Sequence, residues 1–533
     1  MNEHHVPVPT KPRFSRRFKI ISLVVILLIA AGIVAVEYAI RHAEPILRAR
    51  VIESLSTRFN SQVDLGEFDV TIFKGLGVEG KNLSLRSNLY PDLPPQISIG
   101  QFSFHTGIFD LFRSPMHVGS IELQNLVIRI PPKGERAAMP KRKKGHGKLK
   151  VVIDRIVCND ALLVLLKDDP NKNALQFKIH QLVLRRVGSK KPWLFHAHLI
   201  NPKPIGDIAT QGHFGPWNAD SPHSTPVDGT YSFTNADLST TKGIAGILSS
   251  TGKFSGPLDT ITVDGTTDTP NFSVDVSGHN VALHTDFHAI VDGTNGDTNL
   301  QPVRAHFLNT DVTATGLVKR AEGGEKGHHI TLNVTIDKGR IEDLLELGAK
   351  TEPPVMKGNV RLKTAFDLPA GKESVSRRLQ LKGTFTVDNA TFTNLHIQEK
   401  VDELSLRGQG KTAEAKQLPE ETETIQPPLP EIPVTLQGTF AMASRKITLP
   451  HLDFKVPGAD IALAGVYTLD GKQFDFTGHA RMQAHVSSIV GGWKGRLLTP
   501  LDPFFAKNGA GTEVPIKVNG TQSNPHFGLN FKH

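Results

Sequence analysis

One cysteine in 533 residues, Cys158, leaves no intramolecular disulfide to form and no thiolate cluster to hold zinc. The compartment stays open, because a chain this long has enough core to fold without disulfides. Tryptophan (3) and tyrosine (4) are scarce beside 28 phenylalanines. Sugar clefts favour the amphipathic rings of Trp and Tyr, so this balance suits an aliphatic ligand better than a glycan. No G-x-S-x-G, Walker A or H-E-x-x-H signature occurs, which removes three common catalytic readings. Long apolar runs are absent but for one, which excludes a multi-span membrane protein. A hydrophobic fraction of 38% with 21% charged residues excludes a wholly disordered chain.

The net charge of +9 is confined to two tracts. Residues 1–19 carry Lys11, Arg13, Arg16, Arg17 and Lys19 against Glu3, for +4; residues 133–150 carry eight Lys or Arg against Glu135, for +7. Together they exceed the whole charge by two, so the rest of the chain sums to −2. A nearly neutral body argues against nucleic acid as a partner.

The one long apolar run is Ile20–Val36, 17 uncharged residues, with Ile20, Leu23, Ile26, Leu27, Leu28, Ile33 and Val36 as its anchoring side chains. Extended to Ile40 it spans roughly 30 Å at about 1.5 Å per residue, a bilayer core. It exceeds the apolar region of a cleaved signal peptide, the competing reading, and no A-x-A site follows it. The positive residues before it place the N-terminus in the cytoplasm and export everything after about residue 42. A single-pass protein is expected.

An amphipathic helix is expected over Pro45–Asn60, from Ile46, Leu47, Val51, Ile52, Leu55 and Phe59. Beyond it the apolar period is two: Leu83 and Leu85, Ile97 and Ile99, Ile121 and Leu123, then Leu126, Ile128 and Ile130. Asp-Gly at 228–229, 264–265, 292–293 and 470–471, with Asn519-Gly520, reads as a series of hairpin turns. A Gly-Thr-aromatic tripeptide recurs at Gly229-Thr230-Tyr231, Gly383-Thr384-Phe385 and Gly438-Thr439-Phe440. Only Arg340–Gly348 and about Val486–Thr499 look helical among the later segments, while 133–150 and 411–433 read as loops. The expected fold is mainly β: a transmembrane helix, then an extended, curved, groove-like antiparallel sheet with a few short capping helices. Helices are too few to cover such a sheet, so its apolar face meets another sheet, closes on itself, or opens to an apolar ligand. The expected divisions are 1–42, 43–215, 216–340 and 341–533.

The candidate groove lining is Phe68, Val70, Ile72, Leu381, Phe385, Val387, Ile461, Leu463, Phe474 and Phe476. Lys141, Arg142, Lys143 and Lys144 are candidate contacts for anionic headgroups, against the plainer reading of a solvated loop. Trp493, Leu497 and Leu498 read as a helix packed on the sheet or as a membrane contact. His196 and His198 share a strand face but lack a neighbouring acid or Cys, so they read as polar-face histidines rather than metal ligands. No catalytic, cofactor or metal residue is assigned.

Three segments resemble the AsmA family of bacterial envelope proteins, the group that includes TamB-like members. They are RARVIESLSTRFNSQVDLGEFDVTIFKGLGVEGKNLSL (48–85), LKGTFTVDNATFTNLHIQEKVDELSLRGQG (381–410) and DPFFAKNGAGTEVPIKVNGTQSNPHFGLNF (502–531), in order behind the N-terminal run. The resemblance implies a bacterial inner-membrane protein with its bulk in the periplasm. It further implies a non-enzymatic role in phospholipid transport between membranes or outer-membrane homeostasis, with phospholipid or another envelope lipid as partner. The alternative it leaves is a scaffold that modulates outer-membrane protein insertion, with outer-membrane assembly proteins as partners.

Overall fold

The computed structural model describes residues 44–529 except 47, 50, 54, 57–60, 72–74, 89–93, 108–115, 131–150, 167–173, 189–190, 219–220, 276, 322–326, 351, 416–430, 470–471, 491–498, 500–501, 507–510 and 522–523. The anchor run, Ile72, Lys141–Lys144, Trp493, Leu497 and Leu498 lie outside the described residues. Among those described, no helix is long and apolar enough to cross a membrane. The chain divides into two units, Met1–Leu199 and Ile200–His533. Residues 215 and 340, where the sequence placed boundaries, both fall inside the second unit.

The first unit holds β1 (Ser61–Asp64), β2 (Phe68–Thr71), β3 (Leu76–Ser87), β4 (Ile97–Thr106), β5 (Met116–Ile130), β6 (Val151–Leu165), β7 (Leu175–Val187) and most of β8 (Trp193–Pro202). β1 and β2 each pair antiparallel with β3, and β3–β4–β5 continue antiparallel. β5 and β6 are parallel, a departure from the expected all-antiparallel meander. A parallel return needs a connection of about a dozen residues or more, and 131–150 supplies twenty. Apolar residues line one face in register, as in the row Val78, Phe104, Ile121, Ile156, Leu184. The other face carries Lys81, Gln101, Gln124, Asn159 and Gln181. The phase of this alternation slips where Asn82, Asn125 and Asp160 take left-handed φ of 55°, 53° and 55°. Short polar Asn and Asp tolerate that conformation, which is why Leu123 is followed on the same face by Leu126 rather than Asn125.

Residues 44–46, 48–49, 51–53 and 55–56 are helical, as the period predicted. Val51, Ile52 and Leu55 pack on a buried cluster of Leu65, Phe68, Val70, Val78, Leu83 and Leu85. Arg48 fastens the helix, its Nη2 donating to Leu65 O (2.6 Å) and Gly66 O (3.1 Å).

The second unit is an antiparallel meander. Its strands are β9 (Ile205–Phe214), β10 (Pro226–Asp237), β11 (Ile244–Ala245), β12 (Ile247–Pro257), β13 (Ile261–Val274), β14 (Val281–Val291), β15 (Thr298–Phe307), β16 (Thr310–Arg320), β17 (His328–Arg340), β18 (Met356–Leu368), β19 (Gln380–Phe392), β20 (Val434–Ala443), β21 (Lys446–Val456), β22 (Ala459–Thr468), β23 (Gln473–Met482), β24 (Thr512–Thr521) and β25 (Asn524–Leu529). Each pairs with the next, except that β11 is a two-residue ladder on β13 and β10 passes to β12. Helices interrupt the meander after β17 (α1, Ile341–Gly348), before β19 (α2, Val375–Arg378), after β19 (α3, Leu395–Gly408; α4, Thr412–Ala415) and after β23 (α5, Val486–Val490; α6, Asp502–Phe505).

The sequence anticipated α1 and the start of α5 but not α3, the longest of these helices. Asn394 caps α3, its side chain accepting from Ile397 N (3.2 Å), and Ile397, Val401 and Leu404 then recur at helical spacing. Those signals follow directly on the alternating run of Leu381, Phe385 and Val387, which reads as strand. The helix is stitched to the strand ends by polar side chains. Gln398 accepts from Phe392 N (2.8 Å) and donates to Ile432 O (3.0 Å), and the Ser405 hydroxyl donates to Pro457 O (2.6 Å). Val401 of α3 joins a core of Ile336, Val360, Val387, Ala390, Val434, Val456 and Ala459 on the strands beneath α1 and α3.

Candidate functional site

Because strands pair in register, directly opposed residues share a face. In the second unit one row of opposed residues is Phe254, Val263, Ala289, Leu300, Gly316, Leu332 and Phe366. From Phe366 it continues through Leu381, Met442, Ile447, Tyr467 and Phe474 to Gly520. No charged side chain interrupts it. At about 4.8 Å per strand the row runs for about 60 Å, several times the depth of one bilayer leaflet's hydrocarbon. A neighbouring row joins Leu362, Phe385, Gly438, Leu452, Leu463 and Gly478. Most of these side chains are partly buried. Their principal neighbours are adjacent strands, and helices α1 and α3 meet the sheet only at one set of strand ends.

The structure therefore sorts the candidate lining into two groups. Leu381, Phe385, Ile461, Leu463, Phe474 and Phe476 share the partly buried face. Phe68 and Val70 are instead sealed beneath the N-terminal helix, and Val387 beneath α3, with exposures of 4%, 5% and 3%. Alternation in sequence reports which face a residue takes, not whether a neighbouring helix folds back over it.

Glycines shape this face. An added Cβ at Gly229 would lie 2.8 Å from Phe254 Cζ, at Gly252 2.8 Å from Tyr231 Cε1, at Gly438 3.1 Å from Phe385 Cε1, and at Gly465 2.4 Å from Phe476 Cδ1. Each ring thus lies down over a glycine of the adjacent strand, an arrangement that recovers packing lost by glycine in a strand. Two pairs of Gly-x-aromatic tripeptides meet head to tail: Gly383 opposes Phe440 while Phe385 opposes Gly438, and Gly229 opposes Phe254 while Tyr231 opposes Gly252. The recurrent Gly-Thr-aromatic motif is therefore a cross-strand device that lowers the relief of the face.

This also corrects the turn reading. Asp292-Gly293 does sit in a turn, but Asp228-Gly229 and Asp264-Gly265 lie inside β10 and β13, and Asn519-Gly520 inside β24. In β10 and β13 the glycine faces the rings and the aspartate faces the other side, where it bonds a histidine of the neighbouring strand. Asp228 pairs with His213 (3.0 Å), and Asp264 with His288 (2.6 Å). His284 with Asp268 (2.6 Å), His306 with Asp311 (2.7 Å) and His329 with Asp367 (2.6 Å) extend this polar face. The hydrogen bond to Asp268 raises His284 above the ordinary histidine value.

Burial pushes the Tyr231 and Tyr467 hydroxyls up, and desolvation does the same to the Cys158 thiol, which lies on the apolar side of the first unit between Leu123 and Leu182. His196 and His198 are exposed on β8, and the His198 ring lies 5.5 Å from that of His180, tilted by 37°. Among the described residues no three His, Cys, Asp or Glu side chains gather as a metal site. No family model matches the chain, and neither a curated protein nor a solved structure matches it.

Proposed function

We propose that this chain is an AsmA-like lipid-handling protein, anchored in a bacterial inner membrane by Ile20–Val36 with its bulk in the periplasm. On this reading the sheet of the second unit curves into a groove, and acyl chains lie along its apolar face while headgroups stay in water. The supporting observation is the uncharged row of opposed residues from Phe254 to Phe474, most of its side chains apolar and partly buried, with the core under α1 and α3 gathered at one set of strand ends. Covering some 400 Å² of a lipid tail at about 25 cal/mol per Å² contributes on the order of 10 kcal/mol, enough to offset much of the cost of leaving a bilayer. No bond is made or broken, so the reading assigns the protein no catalytic step.

A photoreactive residue placed at Leu463 in the full-length protein, with a control at Asp475 on the opposite face, tests this in intact membranes. Lipid adducts at 463 and not at 475 are expected. Stable adducts to outer-membrane assembly proteins without lipid would replace this reading by the scaffold alternative, and β25, which pairs only with β24 among the described residues, offers such a partner an edge.

A further inference from the structure

On the polar side of the first unit two arginines stand directly opposite each other, Arg155 on β6 and Arg185 on β7. Like charges at opposed positions repel, and such pairs are ordinarily relieved by a nearby carboxylate. None is in place. Across β5, Arg155 faces Ser120, and Glu122, one step further along that face, opposes Val157 and makes no ion pair with either arginine. Asp154 points to the other side, 3.7 Å from His117. The two guanidiniums, both exposed, border an open depression of about 370 Å³ that the exposed Gln181 and His196 also line, with Val183, Leu194 and Phe195 as its apolar wall.

We infer that Arg155 and Arg185 clamp a phosphate oxyanion, free or esterified, at this depression. Two guanidiniums on adjacent strands present forked donors to one tetrahedral anion, and the charge they would otherwise repel with is neutralised by it. The Gln181 amide and the His196 ring supply further donors, and the apolar wall accommodates the carbon skeleton of an ester. This site lies in a different unit from the apolar face and does not depend on the lipid reading.

The test uses the full-length protein in neutral detergent micelles, with radiolabelled inorganic phosphate as one probe and phosphatidylglycerol doped into the micelles as the other, phosphatidylcholine serving as the zwitterionic comparison. Wild type is expected to bind at least one anionic probe, and R155Q/R185Q to bind it about tenfold or more weakly. R155K/R185K, which keeps the charge and loses the fork, falls between them, and K253Q in the second unit leaves binding unchanged. Saturable phosphate binding alone assigns a soluble phosphate ligand; preference for phosphatidylglycerol assigns a lipid headgroup. Absence of binding to both probes in wild type, or binding unchanged in a folded R155Q/R185Q protein, overturns the site.

Discussion

Lysine placed at Leu463 and at Val387 separates an open apolar face from a sealed one. Val387 is 3% exposed, under α3 and against Val360 and Val434. Removing its side chain from that core costs about 1.5–3 kcal/mol. An ammonium with no route to water adds several more, for about 4 kcal/mol or above in all. Leu463 lies between Leu452 and Gly478 in register, and Gly478 presents no side chain above the sheet. There the lysine stem covers much of what leucine covered while its ammonium reaches solvent, so the cost is about 1 kcal/mol. At roughly 2–4 °C per kcal/mol, V387K is expected to lower the unfolding midpoint by about 8 °C or more, or to prevent folding, and L463K by no more than about 4 °C. Thermal unfolding followed by circular dichroism reads both, and lipid mass spectrometry of the same preparations is expected to show less bound phospholipid in L463K. Equal destabilisation by the two substitutions would mean that the face at Leu463 is a covered core, and the open-face reasoning would fail.

Three further outcomes are expected. Gly438→Val brings a Cβ within 3.1 Å of Phe385 and 2.7 Å of His451 O, and is expected to cost about 1–3 kcal/mol; adding F385A relieves the part owed to the ring, which a double-mutant cycle measures. Asp343, 3% exposed, accepts from Asn309 N (2.9 Å) and the Thr310 hydroxyl (2.7 Å), tying α1 to the turn between β15 and β16. D343A leaves both donors unpaired, costs about 1–3 kcal/mol, and is expected to speed amide exchange at residues 309 and 310. For His284 the folded value is raised by Asp268, so the pair stabilises fully below the unfolded histidine value and loses that contribution as pH rises through the raised one. Histidine NMR is expected to show the His284 titration falling toward the ordinary value in D268N, and an unchanged titration would remove Asp268 as the cause.

Read from residues 68–71, 121–130, 381–387, 461–468 and 473–476, the sequence by itself determined strand character and which residues share a face, because a period of two is a local property of the chain. It also determined the N-terminal amphipathic helix and the separation of charge into two tracts. Tertiary structure alone decided the rest. Whether Asp228-Gly229 makes a turn or a mid-strand pair depends on His213 and Phe254, which belong to other strands. Whether Phe68 and Val387 line a surface or a core depends on helices that pack over them. The opposition of Arg155 and Arg185 comes from the register of two strands thirty residues apart, and no local pattern encodes it. Short-range sterics fix the pleat, but coverage, ring-on-glycine packing and charge opposition are set by contacts between separate secondary-structure elements.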